Sequence, residues 1–528
     1  MANLAGRPGL APGGGLAVCS RVFAWTWDEY RAVQWSHMLE AELHMNDVAG
    51  ATYVTSKRKD EIRRLHDKLA PERNIWLRKG AFFHSEDLRY LKFLIPEGIR
   101  ILELGCGTGH LLAALKPSVG VGVDFSEGMI AEARRSHPHL SFMVGDIEDD
   151  AFIRSIGGPF DVILNVDTIG SLEDCQHAFE ILHPLCTRGT RLVIAYFSHL
   201  WYPVLKLAEK VGLKMRQPAQ NVLAPADVRG LAILAGFEPV KSDRRVLAPV
   251  SLFGLGRLAN RFLAAFPVIN ALALRHYTVC RSLKHLNDRV ASATVVIPAR
   301  NERGNIEAAV KRIPRFTNDL EIIFIEGGSN DGTWEEIERV AAAYPEYDIK
   351  AMRQPGRGKA NAVFAAFDAA RGDVLMILDA DLTMPPEQLP KFWDAICSGM
   401  GEFISGSRLI YPIEDAAMPF LNLLANKAFS ILFTWVLSQR CTDTLCGTKV
   451  LRRSDYMRLK ACRSYFGNFD PFGDFELIFG ASKLSLQSIE IPIRYASRTY
   501  GETQISRFRH GFMLIRMVLF AFMRIKAL

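Results

Sequence analysis

Short apolar runs alternate with amphipathic stretches through most of this chain, and the alternation occurs twice. The first series predicts strands at 100–104, 120–124, 140–144, 160–166 and 190–197, with helices at 127–136 and 173–183. The second predicts strands at 294–298, 321–325 and 373–378, with helices at 305–312, 333–344 and 359–370. Strands separated by helices at this spacing form parallel sheets covered on both faces, since a parallel neighbour is reached only by a crossover. Between 246 and 288 the rhythm breaks into a stretch with few acids and several large apolar residues. The pattern predicts an α/β chain of two doubly wound domains. Its parts are a partly disordered leader (1–49), a first domain (50–246), an apolar helical linker (247–292), a second domain (293–505) and an amphipathic C-terminal helix (506–528).

The length of 528 residues fits two cores better than one. Hydrophobic residues at 49% and charged residues at 23% are globular rather than disordered values. The net charge of +7 suits anionic small molecules or a membrane surface, and no nucleic-acid-reading motif accompanies it. Nine scattered cysteines complete no zinc-ligand spacing, so they read as reduced thiols in a cytosolic compartment. The first twenty residues lack the basic start and apolar run of a signal peptide.

In the first series a strand runs into Gly105-Cys-Gly107-Thr-Gly109 and then a helix, a turn that lets a ligand approach the backbone closely. The second strand ends in Asp124, placed to bind ribose hydroxyls, and the third in Gly145-Asp146-Ile147, where the acid can accept from an adenine amino group. Together these motifs, with Glu103 before the first glycine, resemble a class I S-adenosylmethionine (SAM)-dependent methyltransferase of Rossmann-like fold over about 84–246. The resemblance implies SAM held by Glu103, Gly105, Gly107, Gly109, Asp124, Asp146 and Ile147, with Glu103 near the methionine end. The acceptor side is nearly mute. Tyr196, His199 and Trp201 follow the fifth strand, and His199 or His84 is a candidate base. A SAM-binding module without catalysis remains an alternative.

The second series ends a buried strand in Asp379-Ala380-Asp381, two carboxylates suited to Mg2+ or Mn2+ bridging a diphosphate. Pro298-Ala-Arg300-Asn301-Glu302 and Glu326-Gly327-Gly-Ser329 follow two other strands, and Lys359 opens a helix where phosphate can meet N–H groups. This ensemble resembles a family-2 glycosyltransferase of GT-A fold over about 294–500, nearest to polyprenyl-phosphate transferases of the dolichol-phosphate mannosyltransferase type. The resemblance assigns the donor nucleotide-sugar to those residues with Ala380, and the metal to Asp379 and Asp381. It assigns the acceptor to Arg408, Lys427, Asp443, Lys449, Arg498 and Tyr500. Such relatives commonly carry two acids where this chain has Glu326-Gly327, which leaves UDP and GDP both open. A lipid phosphate acceptor needs no base; a sugar hydroxyl of a polysaccharide or glycolipid would need one, and Asp474 stands where sugar-acceptor members carry a catalytic acid.

On a helical wheel Arg509, Arg516 and Arg524 fall within an arc of about 80° on an otherwise apolar segment. That is the pattern of a helix lying in a membrane interface. The segments 418–437 and 246–280 read similarly, and none reaches the ~18 apolar residues of a spanning helix. The sequence therefore predicts a bifunctional bacterial cell-envelope enzyme, peripheral on the cytosolic membrane face, with oligomerisation open.

Overall fold

The computed structural model describes residues 56–218, 220–286, 290–411, 420–467, 473–498, 500 and 507–528. The leader, the side chain of Arg509 and residues 501–506 lie outside the described residues.

Two seven-stranded sheets form the molecule. The first comprises β1 (Arg100–Leu104), β2 (Val119–Asp124), β3 (Ser141–Val144), β4 (Val162–Val166), β5 (Arg191–Phe197), β6 (Phe237–Arg245) and β7 (Arg275–Ser282). Their spatial order is β3-β2-β1-β4-β5-β7-β6, parallel except at β7, which runs antiparallel to both neighbours. Strand order reverses between β1 and β4, opening a crevice at their carboxyl ends.

The second sheet contains β8 (Ser292–Ala299), β9 (Asp319–Glu326), β10 (Asp348–Arg353), β11 (Val374–Ile377), β12 (Phe403–Ser407), β13 (Lys449–Arg452) and β14 (Ser488–Pro492). Its order is β10-β9-β8-β11-β13-β12-β14, with β13 antiparallel to β11 and β12. Here the order reverses between β8 and β11, again at carboxyl ends.

Within the stretch expected to be an apolar helical linker, the helices Leu255–Arg261 and Pro267–Asn270 are followed by β7, which closes the first sheet. The expectation is corrected there. All eight positions of β7 are buried, so no alternation shows. Its Arg275 and Arg281 also disguise it, since they are buried through ion pairs, to Asp87 and Asp167 and to Glu238, rather than by being apolar. The helix expected over 173–183 is shorter, Cys175–Glu180. Asp174 caps it, its carboxylate accepting from His177 N at 2.9 Å, and Pro184 lies in the 3-10 turn that follows.

One apolar cluster belongs to both sheets. It runs from Leu164 and Val193 of the first through Phe93 and Tyr277 to Phe364, Phe475 and Leu451 of the second. Separate clusters fill the outer face of each sheet. Beside the shared layer lies a buried charge cluster. Glu402, before β12, takes Arg191 at 2.7 Å and faces Arg188 and Arg281, while Arg188 also holds Asp455 at 2.7 Å. Burial alone would keep Glu402 protonated. The arginines, led by Arg191, override it and hold the carboxyl down at about 2.

Candidate active sites

In the first crevice β1 turns at Gly105 and Gly107, both with positive φ. A Cβ on Gly105 would stand 2.1 Å from Thr168 Oγ1, so only glycine permits this approach of the turn to the end of β4. Asp124, at the end of β2, accepts from Gly107 N at 2.9 Å and Ser126 N at 3.0 Å. These residues, with Asp146 and Ile147, line a cavity of about 450 Å³. Glu103 and Gly109 are placed differently: they lie behind the wall. Glu103 accepts from Leu112 N at 3.1 Å, and Gly109 packs on the Phe142 ring.

The opposite wall comes from helices whose role the sequence did not disclose. Helix Lys57–Lys79 is pinned where Asp67 accepts from Ser126 Oγ at 2.6 Å and Gly128 N at 3.0 Å. It brings Lys59, His66, Arg73 and Trp76 to the cavity, and helix Ala81–Leu94 brings Phe83 and His84. Lys59 holds Asp146 at 2.5 Å and Glu148 at 2.6 Å. Burial pushes the His84 imidazole down to about 4, with Arg73 adding to it, so His84 is neutral. Asp167, just past β4, also lines the cavity. It adopts a left-handed backbone and is held by Arg275, which takes Asp87 at 3.1 Å as well. Trp201 is on the wall, whereas Tyr196 and His199 face a smaller neighbouring cavity of about 60 Å³.

Burial pushes the Glu103 carboxyl up to about 8, while Leu112 N and Arg73 oppose the shift. A raised carboxyl favours the fold while the group is protonated in both states, and that contribution fades as pH climbs from 4.5, where the unfolded chain ionises, to about 8. We expect the Tm of the wild type, relative to Glu103→Gln, to fall across that window and level off above it. A pH-independent difference between the two would refute the assignment.

In the second crevice three parallel strands end side by side. Glu302 follows β8, Glu326 ends β9, and Asp379 and Asp381 follow β11. Lys359 Nζ lies 2.6 Å from Asp379 Oδ1, and Arg498 links Asp381 Oδ2 at 2.6 Å to Glu302 Oε1 at 3.2 Å. Although burial works against ionisation, Lys359 holds Asp379 below the usual carboxylate range. Burial likewise opposes the Lys359 charge, yet Asp379 and then Asp474 raise it above the ordinary lysine value. Gly447 permits this arrangement, for a Cβ there would stand 2.0 Å from Asp379 Oδ2.

Around this centre Asn301 has positive φ, with its N–H donated to Ser329 Oγ at 3.0 Å and its Oδ1 accepting from Asn330 N at 3.0 Å. Glu326 accepts from Ser329 N at 2.5 Å. Gly327 lies beside Gln354 and Arg300, Pro298 is half-buried, and Ala380 is buried. Tyr500 rests on Gly304 and reaches Asp331 at 3.5 Å.

The residues expected to meet the acceptor divide. Arg498 and Lys449 stand near the carboxylates, with buried Lys449 acting electrostatically on Asp379. Arg408 and Asp443 pair with each other, through Nε–Oδ2 at 2.7 Å and Nη2–Oδ1 at 2.8 Å, and Arg408 also acts electrostatically on Asp379. Lys427 is exposed on helix Phe420–Leu437. Asp474 is buried as the first residue of helix Asp474–Lys483; the cap position before it belongs to Gly473.

Asp379 and Asp381 are hard oxygen donors and fit a divalent cation. Among the described residues no third His, Cys, Asp or Glu joins them, so further ligands would come from the donor's diphosphate.

No described helix is long and apolar enough to cross a membrane. Helix Arg507–Ala521 buries Leu514, Met517, Val518 and Ala521, and turns Phe512, Ile515 and Leu519 outward beside Arg516. Its continuation meets the first domain where Arg261 Nε donates to Ala527 O at 3.1 Å. Trp435 of helix Phe420–Leu437 likewise donates to Ala265 O at 2.9 Å.

Residues 55–242 match the model of a methyltransferase domain, and residues 294–459 that of glycosyl transferase family 2. The chain therefore carries both transferase domains. It is similar to a dolichol-phosphate mannosyltransferase of Pyrococcus furiosus, 35% identical over 25% of this chain and 38% of that protein. It also resembles an undecaprenyl-phosphate 4-deoxy-4-formamido-L-arabinose transferase of Aeromonas hydrophila, 25% identical over 41% of this chain and 64% of that protein. The chain thus spans 38% and 64% of the lengths of these two relatives. Among solved structures, a SAM-dependent methyltransferase of Thermotoga maritima aligns at 21% identity and TM-score 0.33, over 42% of this chain and 99% of that one.

Proposed function

We propose that this chain is a bifunctional transferase: its second domain moves a sugar from a nucleotide-sugar to a polyprenyl phosphate at a membrane surface, and its first domain methylates an acceptor using SAM. The observation that carries the first activity is the crevice between β8 and β11, where two carboxylates are each paired to a cation. Lys359 and Arg498 beside the carboxylates supply cations suited to a diphosphate. A metal bound to Asp379 and Asp381 would neutralise the departing nucleoside diphosphate. Lys359 and Arg498 turn from the aspartates to phosphate oxygens, Glu326 and Asn301 orient the nucleoside, and a phosphate oxygen of the acceptor attacks the anomeric carbon from the opposite side with inversion. The acceptor is already anionic, so no side chain has to remove a proton.

A second reading has support in Asp474, which is buried near Lys359 and would serve as the base for a sugar hydroxyl. Asp474→Asn separates the two. For a phosphate acceptor we expect kcat to fall less than about tenfold, and a loss of 10²–10⁴-fold would establish the hydroxyl reading.

In the methyl site the glycine turn, Asp124 and Asp146 fit a cofactor with a ribose and an adenine, and SAM supplies an electrophilic methyl group when bound. Asp167 and the aromatic wall orient the acceptor. An oxygen or nitrogen of the acceptor would take the methyl group, and His84 on the cavity wall would take the proton released there. The outward apolar faces of helices Phe420–Leu437 and Arg507–Ala521, with exposed Lys427 and Arg516, support docking on an anionic membrane face.

A further inference from the structure

The methyl-site cavity is bounded on its acceptor side by apolar residues that continue onto the protein surface. Val204, Leu213 and Val250 line the cavity, yet they are 52%, 77% and 52% exposed. A side chain that both lines a cavity and faces solvent marks its mouth, and an apolar mouth carries a cost in water unless something apolar covers it. Helix Tyr202–Lys210 extends the collar with exposed Leu207, and the segment after Val250 extends it with Leu252 and a fully exposed Phe253.

The collar is continuous with the rest of the apolar surface. Trp201, on the cavity wall, donates to Leu272 O at 2.8 Å, which fastens the mouth to the segment 252–272. That segment turns Leu255, Leu258 and Val268 outward, with exposed Arg257 and Arg261 among them. Through Ala265 and Arg261 it joins helix Phe420–Leu437 and the C-terminal turn of the second domain. Cations set in an apolar rim complement the anionic headgroups of a lipid surface.

We infer that the methyl acceptor is borne on a lipid, its alkyl or isoprenoid chain lying along Val204, Leu213 and Val250 and its polar head reaching His84 and Asp167. This rests on reading the cavity as the SAM site. A free glycan would leave the collar bare, whereas an amphiphile rising from the membrane covers it and presents its head to the cofactor.

The test uses the full chain and cis-parinaric acid, a fluorescent alkyl-chain probe, with S-adenosylhomocysteine titrated separately by calorimetry. The wild type should bind the probe saturably. The double variant Val204→Asp/Leu213→Asp should raise its Kd at least tenfold while S-adenosylhomocysteine affinity stays within twofold. Met457→Asp, an exposed apolar position on helix Arg453–Ala461 away from the collar, should leave probe binding unchanged. Unaltered probe binding in the double variant, or loss in Met457→Asp, overturns the inference, as does a wild type that takes S-adenosylhomocysteine and no probe. A wild type that takes neither overturns the cofactor reading, and the inference with it.

Discussion

Asp381→Ala should lower sugar transfer by about a thousandfold and leave SAM affinity within twofold of wild type. Lewis-acid stabilisation of a departing diphosphate is worth several kcal/mol, and each ~1.4 kcal/mol is a factor of ten in rate. The same substitution also releases Arg498, which bridges Asp381 to Glu302. On the proposed mechanism two losses therefore fall on one step: the proposed metal ligand goes, and Arg498 loses its anchor. The other site is spared because no residue of the β11 turn lines it. Radiolabelled sugar transfer to a polyprenyl phosphate, with calorimetry of S-adenosylhomocysteine on the same preparation, gives both numbers. Donor turnover at the wild-type rate in this variant would end the metal assignment.

Glu402→Ala is the second large effect, and it falls on stability. Removing the acid leaves buried Arg191 without its ion-pair partner, while Arg188 keeps Asp455 and Arg281 keeps Glu238, and breaking a buried pair in this way costs about 3–5 kcal/mol. The carboxyl is depressed to about 2, so its contribution is complete above 4.5 and fades as pH falls through that interval. Urea unfolding at pH 7 should show a markedly lower midpoint for the variant, and acidification towards pH 2 should narrow the gap. Both transferase activities should disappear together on warming, since the cluster borders the apolar layer common to both sheets. Separate loss of one activity before the other would contradict that placement.

How much of this was legible in the sequence depends on where each residue's role is decided. Apolar runs ending in Gly105 and Asp379 announce strand-end sites by themselves, because a buried strand and its carboxyl-end turn are local facts. Asp124 and Asp146 were legible for the same reason. Arg73, His66 and Lys59 were not, since they reach the cavity only once helix Lys57–Lys79 docks through Asp67 on the loop after β2. Asp167 gives no signal in sequence; its place depends on Arg275, 108 residues away. Arg408 and Asp443 read in sequence as ligand-facing groups; that they pair with each other was not legible there, because the pair joins positions 35 residues apart. Strand β7 was missed because its burial is achieved by ion pairs and hydrogen bonds, which hydropathy does not register.

The apolar layer common to both sheets has a consequence for how material passes between the two catalytic centres. A fusion joined by a pliant tether could carry a product across by swinging one half toward the other. Here the halves are cast as one block, and their separation is set at folding. Any molecule that visits both centres must travel the distance itself, and on the membrane-docked reading proposed above a lipid-borne acceptor would do so by moving laterally in the leaflet.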